Sequence, residues 1–474
     1  MSFEETLDYL YELYNKTYCE DDDDFKTILK NYVENNTKNI NNNPSATTDL
    51  ETFSLSNPHY IKVCRNQIPN GVLPIENVAG FLYDINVYIS KEFRLEKRKK
   101  FLTDDDVYES FPLIQKNIPR GVTICKIVDK NDDSNIKFYE TTIYANKKFT
   151  DIPNNNNKNN NLYFLQNSDD DDDDERKIIS MEKMNGDALH FSGRYIMGNF
   201  YLFVGSKKSH IMIKNESDIE LYTDDRYVVS KQFARSVWKM LQNLSPPNRN
   251  ALYNFLHYTR VTAVCELLQS NYQHIVNISN TADSKVIFLT FTPTFYGLNN
   301  KDVIINSLTF LPPHISLRII NVLDIPCAPY KIMIIDNDKK YKEEIENIRL
   351  NVINSEGRVF YFLNNKDETI GLLKVKTVWY ICLRALREKC VHHFKLKNID
   401  ISTVVNSVNT RYTEIQDWLK LSDDIIKYWN NIGEQFIIWL KNQIDKNLIN
   451  IQQNPIKSNF PNLWDKFNQD FSFA

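Results

Sequence analysis

Short apolar runs rich in β-branched and aromatic residues, separated by turn formers, fill the chain from about Val107 to Asn365. Gly121-Val-Thr-Ile-Cys125, Tyr201-Leu-Phe-Val204, Lys285 to Phe291 and Arg358 to Leu363 are examples, and such runs predict strands. Ser230 to Leu244 carries the three-to-four spacing of a helix within that strand-rich stretch. On either side the helical spacing dominates. Leu7, Leu10 and Leu13 recur near the N-terminus; Trp379, Leu383 and Leu386 share a face, and Ile415, Trp418, Leu421, Ile425, Trp429, Ile432, Phe436 and Trp439 continue the pattern. Aromatics at that spacing are read as packing rather than as a base-stacking platform. The pattern predicts an α+β protein: a mainly helical region over 1–105, a central domain with a mixed or antiparallel sheet over 106–390, and an all-helical C-terminal module over 391–474. Two polar segments interrupt it, one around Asn35 to Asn43 and an Asn- and Asp-rich stretch over 151–176. The second cannot bury a core and is expected to be a disordered surface insertion.

Composition narrows the setting. With 474 residues, 42% apolar and 25% charged, the chain has ordinary globular proportions and length for two or three domains. The N-terminus lacks a basic stretch followed by an apolar one, and no apolar run approaches the roughly 18 residues of a bilayer span. No membrane is expected as a partner, and an intracellular, soluble setting follows, cytoplasmic or nuclear. Seven cysteines are scattered with no Cys-x-x-Cys pair, which points to a reducing compartment and away from a zinc site. The net charge of −4 is weighted by acidic runs at Glu20 to Asp24 and Asp169 to Glu175. Without them the remainder is net basic, with clusters at Arg94 to Lys100, at Lys207 and Lys208, and from Lys374 to Lys389. Charge therefore permits a polyanionic partner without requiring one.

The candidate chemistry begins at Lys183, which precedes a turn made by Asn185 and Gly186 between two strand-like segments. Such a turn holds an amine at the edge of a sheet, where a deprotonated lysine could attack a nucleotide phosphate. Downstream, Phe203 to His210 is a strand ending in a cationic turn with Lys207. Thr262 to Leu268 is a strand in which Glu266 interrupts apolar neighbours, and Ser355-Glu-Gly-Arg358 places Glu356 at a strand start. In Gly371 to Tyr380 the two-residue alternation of a strand sets Lys374 and Lys376 on one face, opposite Leu373 and Val375. That cationic strip suits a triphosphate. His190, His210, His274, His392 and His393 follow no metal-ligand spacing and attract no role.

In this order the motifs, across roughly residues 110 to 390, resemble those of the covalent nucleotidyltransferases, and within them the ATP-dependent RNA ligases of the phage RNA ligase 1 and fungal tRNA ligase type. The resemblance implies that Lys183 is the nucleophile that takes AMP, and that Lys207, in the Ser206 to Ser209 segment, helps bind the nucleotide. It implies that Glu266 contacts the ribose, that Glu356 serves the metal and the lysine's surroundings, and that Lys374 and Lys376 hold phosphates. Tyr296, in Phe295 to Asn299, resembles the aromatic that stacks on adenine. Pro119-Arg-Gly-Val122 and Ala145 to Thr150 resemble two upstream segments of this branch, which makes Arg120, Lys147 and Lys148 candidates for pyrophosphate or RNA 5′-phosphate contact. The second aromatic of the latter stretch is Thr150 here, and the polar insertion lengthens the path to Lys183.

The implied cycle has three steps: AMP joins Lys183, moves to an RNA 5′-phosphate as a 5′-5′ pyrophosphate, and departs when a 3′-hydroxyl attacks. ATP with Mg2+, or Mn2+ in its place, would serve it. The partners would be RNA carrying 5′-phosphate and 3′-hydroxyl ends, tRNA among the candidates in splicing or repair, and a separate end-healing kinase and phosphoesterase. Lysine is almost wholly ammonium at neutral pH, so a cation such as Lys374 or Mg2+ is expected to depress the Lys183 pKa. Two alternatives stand beside this: an mRNA guanylyltransferase using GTP, and a catalytically inactive RNA-binding scaffold of the same fold. The chain has no Gly-x-x-x-x-Gly-Lys-(Ser/Thr) segment, which disfavours P-loop transferases.

Overall fold

The computed structural model describes residues 2–18, 29–30, 46–97, 102–151, 176–278, 284–294, 307–335, 338–395 and 400–471. The Asn- and Asp-rich insertion lies, apart from its two ends, outside them, as do both acidic runs and Tyr296.

The described residues form three sheets, helices packed on them and a C-terminal helical module. The first sheet is a fully antiparallel ladder in the order β1 (Ile61–Gln67), β2 (Val78–Val87), β3 (Val122–Asp129) and β4 (Asp132–Tyr144). Alternation sorts its residues between two cores. Ile85, Val122 and Ile124 pack with Leu50, Phe93, Val107 and Ile114 of the helices Ala46–Leu55, Lys91–Lys97, Asp104–Ser110 and Pro112–Asn117. Val78, Leu82, Cys125 and Ile127 face the main core.

The chain then continues through β5 (Thr150–Asp151), β6 (Arg176–Glu182), β7 (Asp187–Ile196), β8 (Asn199–Ser206), β9 (His210–Ile213), β10 (Thr262–Leu268), β11 (Lys285–Thr292), β12 (Tyr330–Ile335), β13 (Gly357–Leu363) and β14 (Thr369–Lys376). The second sheet runs β11-β10-β7-β8-β9 and the third β12-β6-β13-β14-β5, antiparallel throughout except for the parallel β14–β5 pair. The α+β class with a mixed or antiparallel sheet, flanking helices and a helical C-terminal region therefore stands.

In the third sheet, Ile178, Phe360, Phe362, Leu373 and Val375 pack with Tyr341, Ile345 and Ile348 of the helix Asp338–Asn351. Ile179, Met181, Val359, Tyr361 and Leu372 point the other way, into the core shared with the second sheet. By the same two-residue period, Lys183, Lys374 and Lys376 belong to that inward face. Apolar packing between the sheets thus gives way at one end to charge.

Two expected boundaries shift. The N-terminal region holds the predicted helices but also β1 and β2, which the helical reading omitted; β1 pairs with β2, and β2 pairs directly with β3 of the central domain. The helix Phe3–Tyr18 also packs on central helices, with Tyr9 Oη donating to Asn248 Oδ1 at 2.7 Å and Arg318 donating to Tyr14 Oη at 2.8 Å. At the other end, the helix Val378–His393 shares one core with the helices Ile401–Leu419, Asp423–Asp445 and Ile456–Phe471, so a boundary at 390 falls inside it. The long aromatic repeat is two helices, broken where Lys420 takes a left-handed backbone (φ 57°), and Trp418 beside the break is exposed.

Candidate functional site

Lys183 follows the last residue of β6, and its backbone N–H donates to the Gly357 carbonyl of β13 at 2.9 Å. Gly357 in turn sits opposite Lys376 of β14. One row across the sheet therefore reads Lys183, Gly357, Lys376, with a glycine between two lysines. Gly357 has φ +137°, and a Cβ there would run into the Val375 carbonyl oxygen, so only glycine keeps the row closed. Glu356, one residue earlier, is turned into the space between the lysines. Its Oε1 lies 2.8 Å from Lys183 Nζ and 3.3 Å from Lys376 Nζ.

The turn after Lys183 locks this arrangement. Asn185 donates through Nδ2 to Glu356 Oε2 at 2.7 Å and to Tyr380 Oη at 3.3 Å. Its Oδ1 accepts from the backbone N–H groups of Ile275 and Val276 at 3.0 and 3.1 Å. Gly186 lies against the Leu267 carbonyl too closely for any side chain, and its N–H donates to Glu266 Oε1 at 3.0 Å. Glu266 thereby reaches the site from β10 of the second sheet. Tyr380 comes from the first turn of the helix Val378–His393, where Thr377 caps by accepting from the Tyr380 N–H at 3.0 Å, and Lys376 Nζ lies 5.2 Å from its ring centre.

The electrostatics correct one expectation. Burial alone would depress the Lys183 amine, but the Glu356 carboxylate, with Glu266 behind it, outweighs burial and holds it above the ordinary lysine value. The lysine is an ammonium paired to Glu356, not an amine poised by neighbouring cations. Burial works against ionised Glu356 as well, and Lys183 and Lys376 override it, keeping that carboxyl below the usual range. Lys376 is depressed, first by burial. Both Glu356 oxygens are engaged, and among the described residues no group of three His, Cys, Asp or Glu side chains could hold a metal.

Of the sequence-predicted residues, Lys183, Glu266, Glu356 and Lys376 converge, with Lys374 two residues along the same strand face. Lys207 lies just past Ser206, which pairs with Leu189 as Leu189 pairs with Cys265; it thus sits at the sheet end that holds Glu266. Arg120 is ion-paired to Asp104 at 3.4 Å and to Asp105, and Lys148 to Glu109 at 3.1 Å and Asp105 at 3.6 Å. Lys147 has no ion pair among the described residues, and burial, aided by Lys116, pushes it down to about 8. Asn185 and Tyr380 were not predicted. Asn185 stands in the quoted turn, but its partners lie about 90 and 171 residues away, beyond any local signal.

Glu266 offers a test of the site's energetics. Desolvation, with Glu356 adding, pushes its carboxyl up to about 7, against Lys183 and the Gly186 N–H. The folded state then holds the proton more tightly than the unfolded chain, whose value is about 4.3. Stability from this group is present below that value and is lost as pH rises through about 7. Glu266→Gln, which keeps the acceptor for Gly186, is expected to be more stable than wild type by about 1–3 kcal/mol above pH 7, with the difference vanishing near pH 4. Paired denaturant titrations at the two pH values check it; equal stability at both would remove the buried charge from the account.

These features define an α+β protein whose lysine–carboxylate–lysine cluster lies where two antiparallel sheets meet. The chain matches DUF7920, a domain of unknown function, over residues 90–387, and belongs to that family. No curated protein matches it. The matched segment carries Lys183, Glu266, Glu356 and Lys376. Among the described residues no helix is long and apolar enough to cross a membrane.

Proposed function

We propose that this protein is an ATP-dependent RNA ligase that carries AMP on the Lys183 ε-nitrogen. The observation that carries the reading is the convergence of Lys183, Glu356 and Lys376 from the third sheet with Glu266 from the second, in the order of motifs that resembles the covalent nucleotidyltransferases. A solvated turn lysine would have no such company.

In the proposed reaction the Lys183 nitrogen forms a bond to the α-phosphorus of ATP, the bond from that phosphorus to the bridging oxygen breaks, and pyrophosphate leaves. Lys183 must first lose its proton, and its pairing with Glu356 opposes that. Glu356, whose Oε1 lies 2.8 Å from Lys183 Nζ, would accept that proton as the bond to phosphorus forms, and the phosphates would seat against Lys374 and Lys376. Glu356 is the carboxylate that would help hold Mg2+ bound with the nucleotide, and the ion would neutralise part of the phosphate charge. Glu266 would accept hydrogen bonds from ribose hydroxyls, protonated or not at one oxygen. Transfer to an RNA 5′-phosphate and attack by a 3′-hydroxyl would complete the cycle.

The test is incubation with α-labelled ATP or GTP and Mg2+, followed by denaturing electrophoresis. AMP label that survives denaturation, and joining of RNA with 5′-phosphate and 3′-hydroxyl ends, are the expected results. Label from GTP alone would select the capping-type alternative, and no label from either would leave the inactive scaffold.

A further inference from the structure

A groove of about 990 Å³ lies between the first sheet and the turn joining β8 to β9. Six cations from five separate elements line it: Lys62 of β1, Arg94 of the helix Lys91–Lys97, Arg120 ahead of β3, Lys207 and Lys208 of the turn, and Arg226. Its three acids are already engaged. Asp84 accepts from Asn66 at 2.8 Å and Thr123 at 2.7 Å, Asp104 pairs with Arg120, and Asp224 with Arg226. Lys62, Arg94, Lys207 and Lys208 make no ion pair among the described residues. Uncompensated like charges around one cavity repel, and a polyanion relieves that repulsion.

The turn is built to hold its lysines in place. Ser206 N–H donates to the Ser209 carbonyl at 3.0 Å, Ser209 Oγ meets Ser230 Oγ at 2.8 Å, and Asn86 of β2 donates to the Lys208 carbonyl at 3.0 Å. The two serines are therefore spent on backbone and helix, leaving the lysine side chains to the groove. On β1 the alternation turns Lys62, Cys64 and Asn66 to the same side, toward the groove. Lys207 of the groove and Glu266 of the site described above stand at one end of the second sheet, two strand spacings or about 10 Å apart.

We infer that this groove is the track for the sugar–phosphate backbone of the RNA strand presented to Lys183. The inference rests on the ligase reading for the identity of the strand, and on the unpaired cations for the track itself. One phosphate group cannot span cations distributed over β1, a helix and a distant turn; a run of phosphates can. Lys62 lies outside the residues shared by the family, so part of the track belongs to the N-terminal strands of this chain.

Binding of a fluorescent, 5′-phosphorylated single-stranded RNA to the full chain, measured without ATP across a salt series, tests it. Lys62→Glu with Arg94→Glu is expected to weaken binding roughly 10- to 100-fold and to reduce the slope of log affinity against log salt by about 1–2. The neutral pair Lys62→Gln with Arg94→Gln should give a smaller loss in the same direction. Lys427→Glu with Lys457→Glu, an equal charge change on the exposed C-terminal helices, should change affinity less than about 3-fold. Equal loss in that control, an unchanged slope in the groove variants, or displacement of RNA by millimolar inorganic phosphate would overturn the track. Because binding is read without ATP, a wild-type protein that binds RNA in the groove yet takes no label from ATP would overturn the ligase reading alone.

Discussion

Lys183→Arg is expected to abolish AMP transfer to the protein, a loss on the order of 10⁴-fold or more, while leaving the fold intact. Arginine keeps the positive charge that Glu356 requires, and its forked guanidinium can still meet the carboxylate that Lys183 Nζ reaches at 2.8 Å. It cannot become an amine nucleophile, because its pKa stays above about 12. Charge and nucleophilicity are thereby separated. Lys183→Ala is the harsher change: it also leaves Glu356, only 6% exposed, with Lys376 and Asn185 as its remaining partners, and should cost about 1–3 kcal/mol of stability. A lysine that merely neutralises Glu356 would tolerate arginine without functional loss. Covalent label persisting in Lys183→Arg would therefore sink the mechanism.

Gly357→Ala should be the most damaging single change to the fold around the site, at roughly 3–5 kcal/mol. The residue occupies φ +137°, which L side chains rarely adopt, and its new methyl would run into the Val375 carbonyl and lie 2.9 Å from Lys376 Cα. The strands β13 and β14 would have to part at the row that carries Lys183 and Lys376. Gly198→Ala provides the comparison: φ is +77°, nothing lies within 4 Å of the added Cβ, and the cost should be only about 1–2 kcal/mol of backbone strain. Thermal or denaturant melts of the two variants measure the difference directly. Equal stability would mean that the β13–β14 register at Gly357 is not as described.

Much of the middle of the chain is readable without coordinates because its strands are short, β-branched and bounded by turns. The runs ending at Cys125, Val204, Phe291 and Leu363 all became strands, as did those carrying Glu266 and Lys374. The alternation in β14 placed Lys374 and Lys376 opposite Leu373 and Val375, as the structure has it. The N-terminal hairpin escaped for a physical reason. In β2, Val78-Ala-Gly-Phe-Leu-Tyr-Asp-Ile, one face meets the helices and the other the main core, so the clean apolar–polar alternation of a half-solvated strand is absent. The shifted boundary at 390 has a similar origin, since the apolar face of Val378–His393 looks the same whether it packs on a sheet or on other helices.

Local sequence, then, determined which residue types stand beside which turn: a lysine ahead of Asn-Gly, an acid ahead of a glycine, and two lysines at period two. Those are consequences of backbone geometry within a few residues. Only the tertiary structure decided that Glu356 stands between Lys183 and Lys376, that Asn185 and Tyr380 brace it, and that the pKa of Lys183 rises where neighbouring cations were expected to depress it. Charge interactions grow as distance and local dielectric shrink, and the contact that reverses the sign joins two strands separated by more than 170 residues of chain.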